Sequence, residues 1–429
     1  MKLYQHQIDA LEKTKDHNRC AYYLDMGLGK TFIGSEKANS LHAQYTLVIC
    51  QKSKVNDWLN HFNEYYDCRL YDLTKKKDLF NYLHDTPIEN IPMIGIINYD
   101  LVWRRKELIN LKNFTLMLDE SSLIANERSK RSKFILSLKP KNVILLSGTP
   151  VSGKYEQLWS QCKLLGWNIS KRDFWQTFII TKKIDVGGIW VDIVIGYKNV
   201  SQLKWRLREY GSVFMKTDEV MSLPEQIEQK IMLKPSSEYK HFKKSHYIQI
   251  EDKELVGDNS LTQILYERQL CGQYSKEKIS AVKDLIDSTS DRIIIFYNFN
   301  KELEILKEIC KSRPISQING QIKDLTAYEE NDDSITLVQY QSGAMGLNLQ
   351  KANKVIYFTL PLGKGSCDIW SQSKKRIHRI GQYKPCFYYY PLIEHSIEEW
   401  NLKLLQTGKE LTDVLFYNFE RGTSNEAMA

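Results

Sequence analysis

A chain of 429 residues exceeds the roughly 250–300 residues at which a single hydrophobic core stops growing, so two domains are expected. A composition of 42% hydrophobic and 26% charged residues excludes a disordered, collagenous or disulfide-scaffold protein, and no run approaches the ~20 apolar residues of a membrane-spanning helix. The formal charge of +8, from 60 basic and 52 acidic residues, suits a polyanionic partner; the eight cysteines lack a CxxC pair or metal-ligand spacing and read as reduced thiols.

The N-terminal MKLYQHQIDALEKTKDH is polar and amphipathic and lacks the apolar core of a signal peptide, which predicts an intracellular protein. Short β-branched and aromatic runs then alternate with charged, helix-like stretches, the pattern of a parallel α/β sheet. In the first half they are CAYYL (20–24), TLVIC (46–50), MIGII (93–97), FTLML (114–118) and NVILL (142–146). Over roughly 155–285 the pattern changes to aromatic-rich amphipathic segments, with one alternating stretch, GGIWVDIVIGY (187–197), that reads as a hairpin. The runs RIIIF (292–296), SITLVQ (334–339), KVIYF (354–358) and CFYYY (386–390) predict a second sheet, and ERGTSNEAMA reads as a frayed tail. The expected organisation is therefore two α/β lobes: 1–230, with a helical insertion over about 155–215, and 231–429, with a helical start over about 235–285.

DMGLGKT (25–31) joins the run CAYYL to the helix-like FIGSEKANSL, a strand-to-helix turn. Gly27 and Gly29 would let the backbone N–H groups of Met26 to Lys30, Leu28 included, close around phosphate oxygens at a helix N-terminus. Lys30 would reach the β- and γ-phosphates, and Thr31 would hold magnesium. Leu24 stands where the full GxxxxGK[ST] pattern has its first glycine, so the segment alone is also compatible with an ordinary turn carrying an exposed lysine. FTLMLDESS places Asp119 and Glu120 directly after a buried strand, where one carboxylate can bind Mg2+ and its neighbour can polarise a water. Alone, that pair also fits a solvated turn.

The ordered set DMGLGKT, LDESS, LLSGTP (145–150), SGAMGLNL (342–349) and QSKKRIHRIGQ (372–382) resembles the Swi/Snf-like branch of superfamily two helicases, across nearly the whole chain. The resemblance implies two tandem RecA-like lobes with parallel sheets, ATP between them and DNA lying across both. It implies an adenine contact at Gln7, with Tyr4 or His6 packing beside it, and a coupling role for Ser147, Gly148, Thr149 and Pro150. Lys52, Ser53, Asn98 and Tyr99 fall where the family contacts DNA phosphates, although polar residues at strand ends are commonly plain loops. Gly346 and Asn348 match the motif that supports the nucleotide and one DNA strand. Arg376 and Arg379 match the arginines of the last motif, set on a basic helix; Arg379 is read as the finger that neutralises the transferring phosphoryl group, Arg376 as a phosphate or Glu120 partner, and Gln372 and His378 as interlobe residues.

The sequence departs from the family in four places. Ser122 replaces a common histidine after the acidic pair, Ala344 replaces a glycine, TLPLGKG replaces the usual acidic and WNP segment, and a double arginine before the lobe junction is reduced to Lys216. The implied activity is an ATP-hydrolysing, DNA-stimulated motor that moves along double-stranded DNA through sequence-independent backbone contacts. The alternatives are a strand-separating helicase, for which the 187–197 hairpin is a candidate pin although it also fits a structural edge hairpin, and a DNA-binding scaffold with a decayed ATPase. The chain resembles compact bacterial and phage-encoded members, nearly filled by the motor; it is expected to be monomeric and cytoplasmic and to work beside replication, recombination or repair proteins.

Overall fold

The computed structural model describes residues 2–148, 154–186, 189–220, 223–340, 347–363 and 365–408. The chain divides into two compact units, Met1–Ser222 and Leu223–Ala429.

In the first unit the strands are β1 (Arg19–Leu24), β2 (Tyr45–Cys50), β3 (Arg69–Asp72), β4 (Met93–Asn98), β5 (Phe114–Asp119), β6 (Asn142–Ser147), β7 (Ile179–Val186), β8 (Ile189–Tyr197) and β9 (Ser212–Met215). Seven of them form one sheet in the order β3-β4-β2-β5-β6-β1-β9, every pair parallel. A parallel sheet is covered by helices on both faces, so its inner strands must be apolar on both sides. That is why CAYYL, MIGII and NVILL read as continuous runs: β1, β2, β4, β5 and β6 are buried along nearly their whole length. Separate hydrophobic clusters lie on the two faces, one around Tyr23, Leu47, Leu116 and Leu145, the other around Tyr22, Val48, Met117 and Ile144. The edge strands β3 and β9 have only four residues each, and β3 is also half-exposed, so neither shows as a long apolar run.

Between β6 and β9 the chain forms the helices Trp159–Leu164, Lys171–Phe178 and Val200–Glu209. Ser170 caps the second by accepting a bond from the Asp173 N–H, 3.1 Å, and Phe174, Phe178, Leu203 and Leu207 join the unit's core. Of the alternating stretch expected as a hairpin, the described residues 189–197 form a single strand. This strand, β8, pairs antiparallel with β7 from Ile179↔Tyr197 to Val186↔Ile189. The other strand, IITKKIDV, has two adjacent lysines that break its alternation.

The second unit contains β10 (Gln226–Leu233), β11 (Tyr247–Ile250), β12 (Lys253–Val256), β13 (Ile293–Tyr297), β14 (Ile315–Ile318), β15 (Lys323–Asp324), β16 (Ile335–Gln339), β17 (Lys354–Tyr357) and β18 (Cys386–Ile393). Its sheet runs β10-β18-β17-β13-β16-β14-β15, parallel except for the last pair. The sequence-based boundary at 230 falls inside β10, whose full length pairs with β18. QIEQKIML is charged and largely exposed because it forms an edge, so it carries no strand-like apolar run. The helical start is present as Ser237–Ser245, Ser260–Cys271 and Lys276–Asp287, interrupted by the β11–β12 hairpin. Lys278 and Glu398 form a buried ion pair that joins the helix Lys276–Asp287 to the helix Ile397–Thr407, and the Lys278 ammonium also donates to the Phe358 carbonyl at 3.1 Å. Among the described residues no helix is long and apolar enough to cross a membrane.

Candidate active site

The first constellation stands at the C-terminal ends of β1, β5 and β6, which are neighbours in the sheet. After β1 the chain turns through Gly27 and Gly29, at φ 92° and 73°, a left-handed backbone that disfavours any residue with a Cβ. Gly29 caps the helix Lys30–Ser40, so Lys30 and Thr31 occupy its first two positions. The Lys30 ammonium donates back to the carbonyls of Leu24 and Asp25, at 2.8 and 3.2 Å. These oxygens stand in for the acceptors that a phosphate would offer. From β6, Gly148 comes so close that a Cβ there would lie 3.3 Å from the Lys30 nitrogen and 3.1 Å from Met26 Cγ.

The acidic pair follows β5. Asp119 Oδ2 accepts a hydrogen bond from the indole N–H of Trp58 at 2.8 Å. Glu120 has a left-handed backbone, φ 60°, and one of its carboxylate oxygens accepts from the hydroxyls of Ser122 and Ser147, at 2.8 and 2.7 Å. Burial raises the Glu120 pKa above its usual value, opposed by the Ser147 bond, the charge of Lys30 and the Ser122 bond. Ser122 thus holds Glu120. Gln161 accepts from the hydroxyls of Tyr23 and Ser121, at 3.0 and 2.8 Å, and ties β1 and the acidic turn to the helical insertion.

Gln7 is buried and bonds the phosphate loop itself, its Nε2 donating to the Leu28 carbonyl at 3.3 Å while its Oε1 accepts from the Tyr4 N–H at 2.9 Å. A ring nitrogen of His6 lies 3.1 Å from the same Leu28 carbonyl, whereas Tyr4 is exposed. Asp25 Oδ2 accepts from the N–H and hydroxyl of Thr217, at 3.1 and 3.3 Å, and so fastens the loop to the last turn of the unit. Lys52 and Ser53 are exposed on a short 3-10 turn after β2. Asn98 and Tyr99 are buried instead. The Tyr99 hydroxyl donates to the carbonyls of Asp119 and Glu120, at 3.1 and 3.4 Å, which makes it a brace for the acidic turn and not an exposed grip on a phosphate backbone.

In the second unit the helix ends at Lys374, so Arg376 and Arg379 lie in the irregular turns after it and not on a helix face. Arg376 is buried; its guanidinium donates to the Leu347 carbonyl at 3.3 Å, and its own carbonyl accepts from the Leu349 N–H at 3.1 Å. Arg379 is half-exposed and donates to Asn348 Oδ1 at 2.5 Å. Gln382 locks the turns in place, donating to the carbonyls of Ala352 and Gln350 at 2.8 and 3.1 Å and accepting from the N–H groups of Lys384 and Tyr383 at 2.9 and 3.0 Å. A ring nitrogen of His378 lies 2.8 Å from the Pro224 carbonyl, and Gln372 is half-buried on the helix Ser366–Lys374. Thr149, Pro150, Ala344 and Gly346 lie outside the described residues.

Sequence reasoning missed Trp58, Gln161 and Thr217. Each acts through a contact across the fold that no local motif encodes; the separation along the chain is 61 residues for Trp58 and Asp119 and 192 for Thr217 and Asp25.

A family model described as the SNF2-related domain matches residues 11–278, and the helicase conserved C-terminal domain matches residues 277–382. The chain is 24% identical over 430 residues to the mouse SWI/SNF-related matrix-associated actin-dependent regulator of chromatin subfamily A member 1, covering 87% of this chain and 39% of the relative. It is 24% identical over 464 residues to the ATP-dependent DNA helicase DDM1 of Arabidopsis thaliana, covering 91% of this chain and 58% of the relative. It thus spans about two fifths of the length of the first of these relatives. A solved structure, the Sulfolobus solfataricus SWI2/SNF2 ATPase core in complex with dsDNA, overlaps loosely, with a TM-score of 0.46, 19% identity and coverage of 95% of this chain and 91% of the other.

Proposed function

The chain belongs to the SNF2-related family, and from that premise we propose that it is an ATP-hydrolysing motor that moves along double-stranded DNA without reading its sequence. The observation that carries this reading is the meeting of three strand ends: the Lys30 ammonium beside Gly148, and Glu120 held by Ser147. A loop shaped by left-handed glycines, a lysine aimed at oxygen acceptors and two carboxylates on one sheet edge form the donor and acceptor set that a nucleoside triphosphate requires.

In this reading the N–H groups and Lys30 bind the β- and γ-phosphates, and Gln7, already bonded to Leu28, reads the base. Thr31 and Asp119 would hold a magnesium ion, which neutralises phosphate charge when bound. Trp58 keeps the Asp119 carboxylate oriented. Glu120 accepts a hydrogen bond from the attacking water; the water oxygen forms the new bond to the γ-phosphorus as the bond to the ADP oxygen breaks, and the water proton passes to the Glu120 carboxylate or to the phosphate. Its raised pKa strengthens it as a base, while Ser147, Ser122 and Lys30 help keep it ionised near neutral pH. Arg379 neutralises the charge that grows on the transferring group. Lys52 and Ser53 in the first unit and Asn348 in the second would contact the DNA backbone.

Strand separation is the second reading. The β7–β8 pair favours it, since Trp190, opposite Asp185 at the end of the ladder, is 68% exposed. Turnover measured with single- and double-stranded DNA, alongside triplex displacement and fork unwinding, separates the two. Stimulation by duplex with triplex displacement and no unwinding is expected. Unwinding that disappears in Trp190→Ala would replace the translocase reading by the helicase one, and turnover unaffected by either form of DNA would overturn both.

A further inference from the structure

A cavity of about 600 Å³ opens in the first unit at the N-terminal ends of β2 and β4, the sheet edge opposite the phosphate loop. That size lies within the range of small-ligand pockets, about 300–1,000 Å³. The last turns of the helix Val55–Tyr65 and the residue after it supply an aromatic wall, Phe62, Tyr65 and Tyr66. The Phe62 and Tyr66 rings pack at 5.4 Å between centroids, and Tyr65 is 41% exposed. The Tyr66 hydroxyl donates to Glu36 at 2.7 Å, an acceptor that draws the phenol proton toward itself and leaves the ring more electron-rich.

The charges around the mouth have one sign. Asp67 and Glu89 line it, both exposed, and no lysine or arginine is among the lining residues, in a chain with 60 basic side chains. Arg69, on the adjoining strand, is engaged by Asp85 and by the Thr86 carbonyl. His42 is the one lining residue able to carry positive charge. Aromatic faces attract cations through their quadrupole, and flanking carboxylates reinforce that attraction.

We propose that this cavity binds an organic monocation, an alkylated ammonium or guanidinium group, seated against Tyr65 and Tyr66 and faced by Asp67 and Glu89. None of these residues belongs to the phosphate site, so binding does not depend on nucleotide chemistry. The cation is either a free amine or the side chain of a lysine or arginine on a partner.

Saturation-transfer NMR on the full chain tests this with three probes at constant ionic strength: choline, its uncharged isostere 3,3-dimethylbutan-1-ol, and acetyl-Gly-Arg-Gly-amide. Choline or the peptide is expected to bind at least about fivefold more tightly than the isostere. Tighter choline identifies a free amine as the natural occupant, and a tighter peptide identifies a partner side chain. Tyr65→Leu and the double variant Asp67→Asn, Glu89→Gln are each expected to weaken binding about fivefold while ATP turnover stays unchanged. All three positions are exposed, so the fold tolerates these changes. Equal binding of the isostere, no transfer to either cation, or unchanged affinity in both variants would overturn the proposal.

Discussion

In the first unit the proposed catalytic groups stand at the ends of three adjacent parallel strands, and their neighbours hold them through side chains: Trp58 on Asp119, Ser122 and Ser147 on Glu120. In the second unit the two arginines lie in turns after a helix, and mainly main-chain carbonyls and Gln382 fix those turns. The contrast extends to the arginines themselves. Arg376 is buried against the Leu347 carbonyl, while Arg379 is half-exposed and its guanidinium donates to the side chain of Asn348. A parallel sheet can present rigid groups directly from its strand ends, whereas a turn must be held by bonds within itself before it can present one. The second unit therefore carries one arginine that builds the turn and one that the turn presents.

The largest expected effect separates those two arginines. Arg379→Ala should lower turnover by about 10³–10⁵-fold and leave stability within about 0.5 kcal/mol of the parent. Arg376→Ala should also destabilise the fold by about 1–3 kcal/mol, because it strands a buried carbonyl. Steady-state turnover with parallel chemical denaturation reads both quantities; equal losses of stability would erase the distinction between the residues.

A smaller effect is expected in the first unit. Lys30→Ala should cut turnover by on the order of 10²–10³-fold or more, with DNA binding retained in a filter or anisotropy assay. Near-normal turnover would remove the phosphate loop from the mechanism.

The smallest effect concerns stability alone. Because burial raises the Glu120 pKa, its neutral carboxyl favours folding, a contribution fully present below the usual glutamate value of about 4.5 and lost as the pH rises through the folded-state value. Glu120→Gln should therefore stabilise the fold at pH 7 by roughly 0.5–2 kcal/mol, with the gain vanishing near pH 3, well below the usual value, where the carboxyl is neutral in both the folded and the unfolded state. Denaturation at the two pH values checks this. A variant less stable than the parent at pH 7 would mean that the serines and Lys30 outweigh desolvation.

The sequence was sufficient to locate the inner strands and the nucleotide motifs. Strands buried on both faces must be apolar throughout, and a phosphate loop must place its glycines and lysine in immediate succession; both requirements are local and therefore visible in residue order. The sequence did not show that Gln7, expected beside the base, is bonded to the loop's own Leu28. Edge strands were harder, since β3, β9 and β10 are short or half-exposed and satisfy no strong pattern.

Only the tertiary structure gave β10 to the second sheet, made residues 189–197 one strand paired with Ile179–Val186, and placed the arginines beyond the helix end. It alone buried Tyr99 under the acidic turn and brought Trp58, Gln161 and Thr217 to the site. These outcomes depend on which strands become neighbours and on where a distant donor meets its acceptor. Such partners are chosen by packing across tens to hundreds of residues, and the chain does not write them in any one segment.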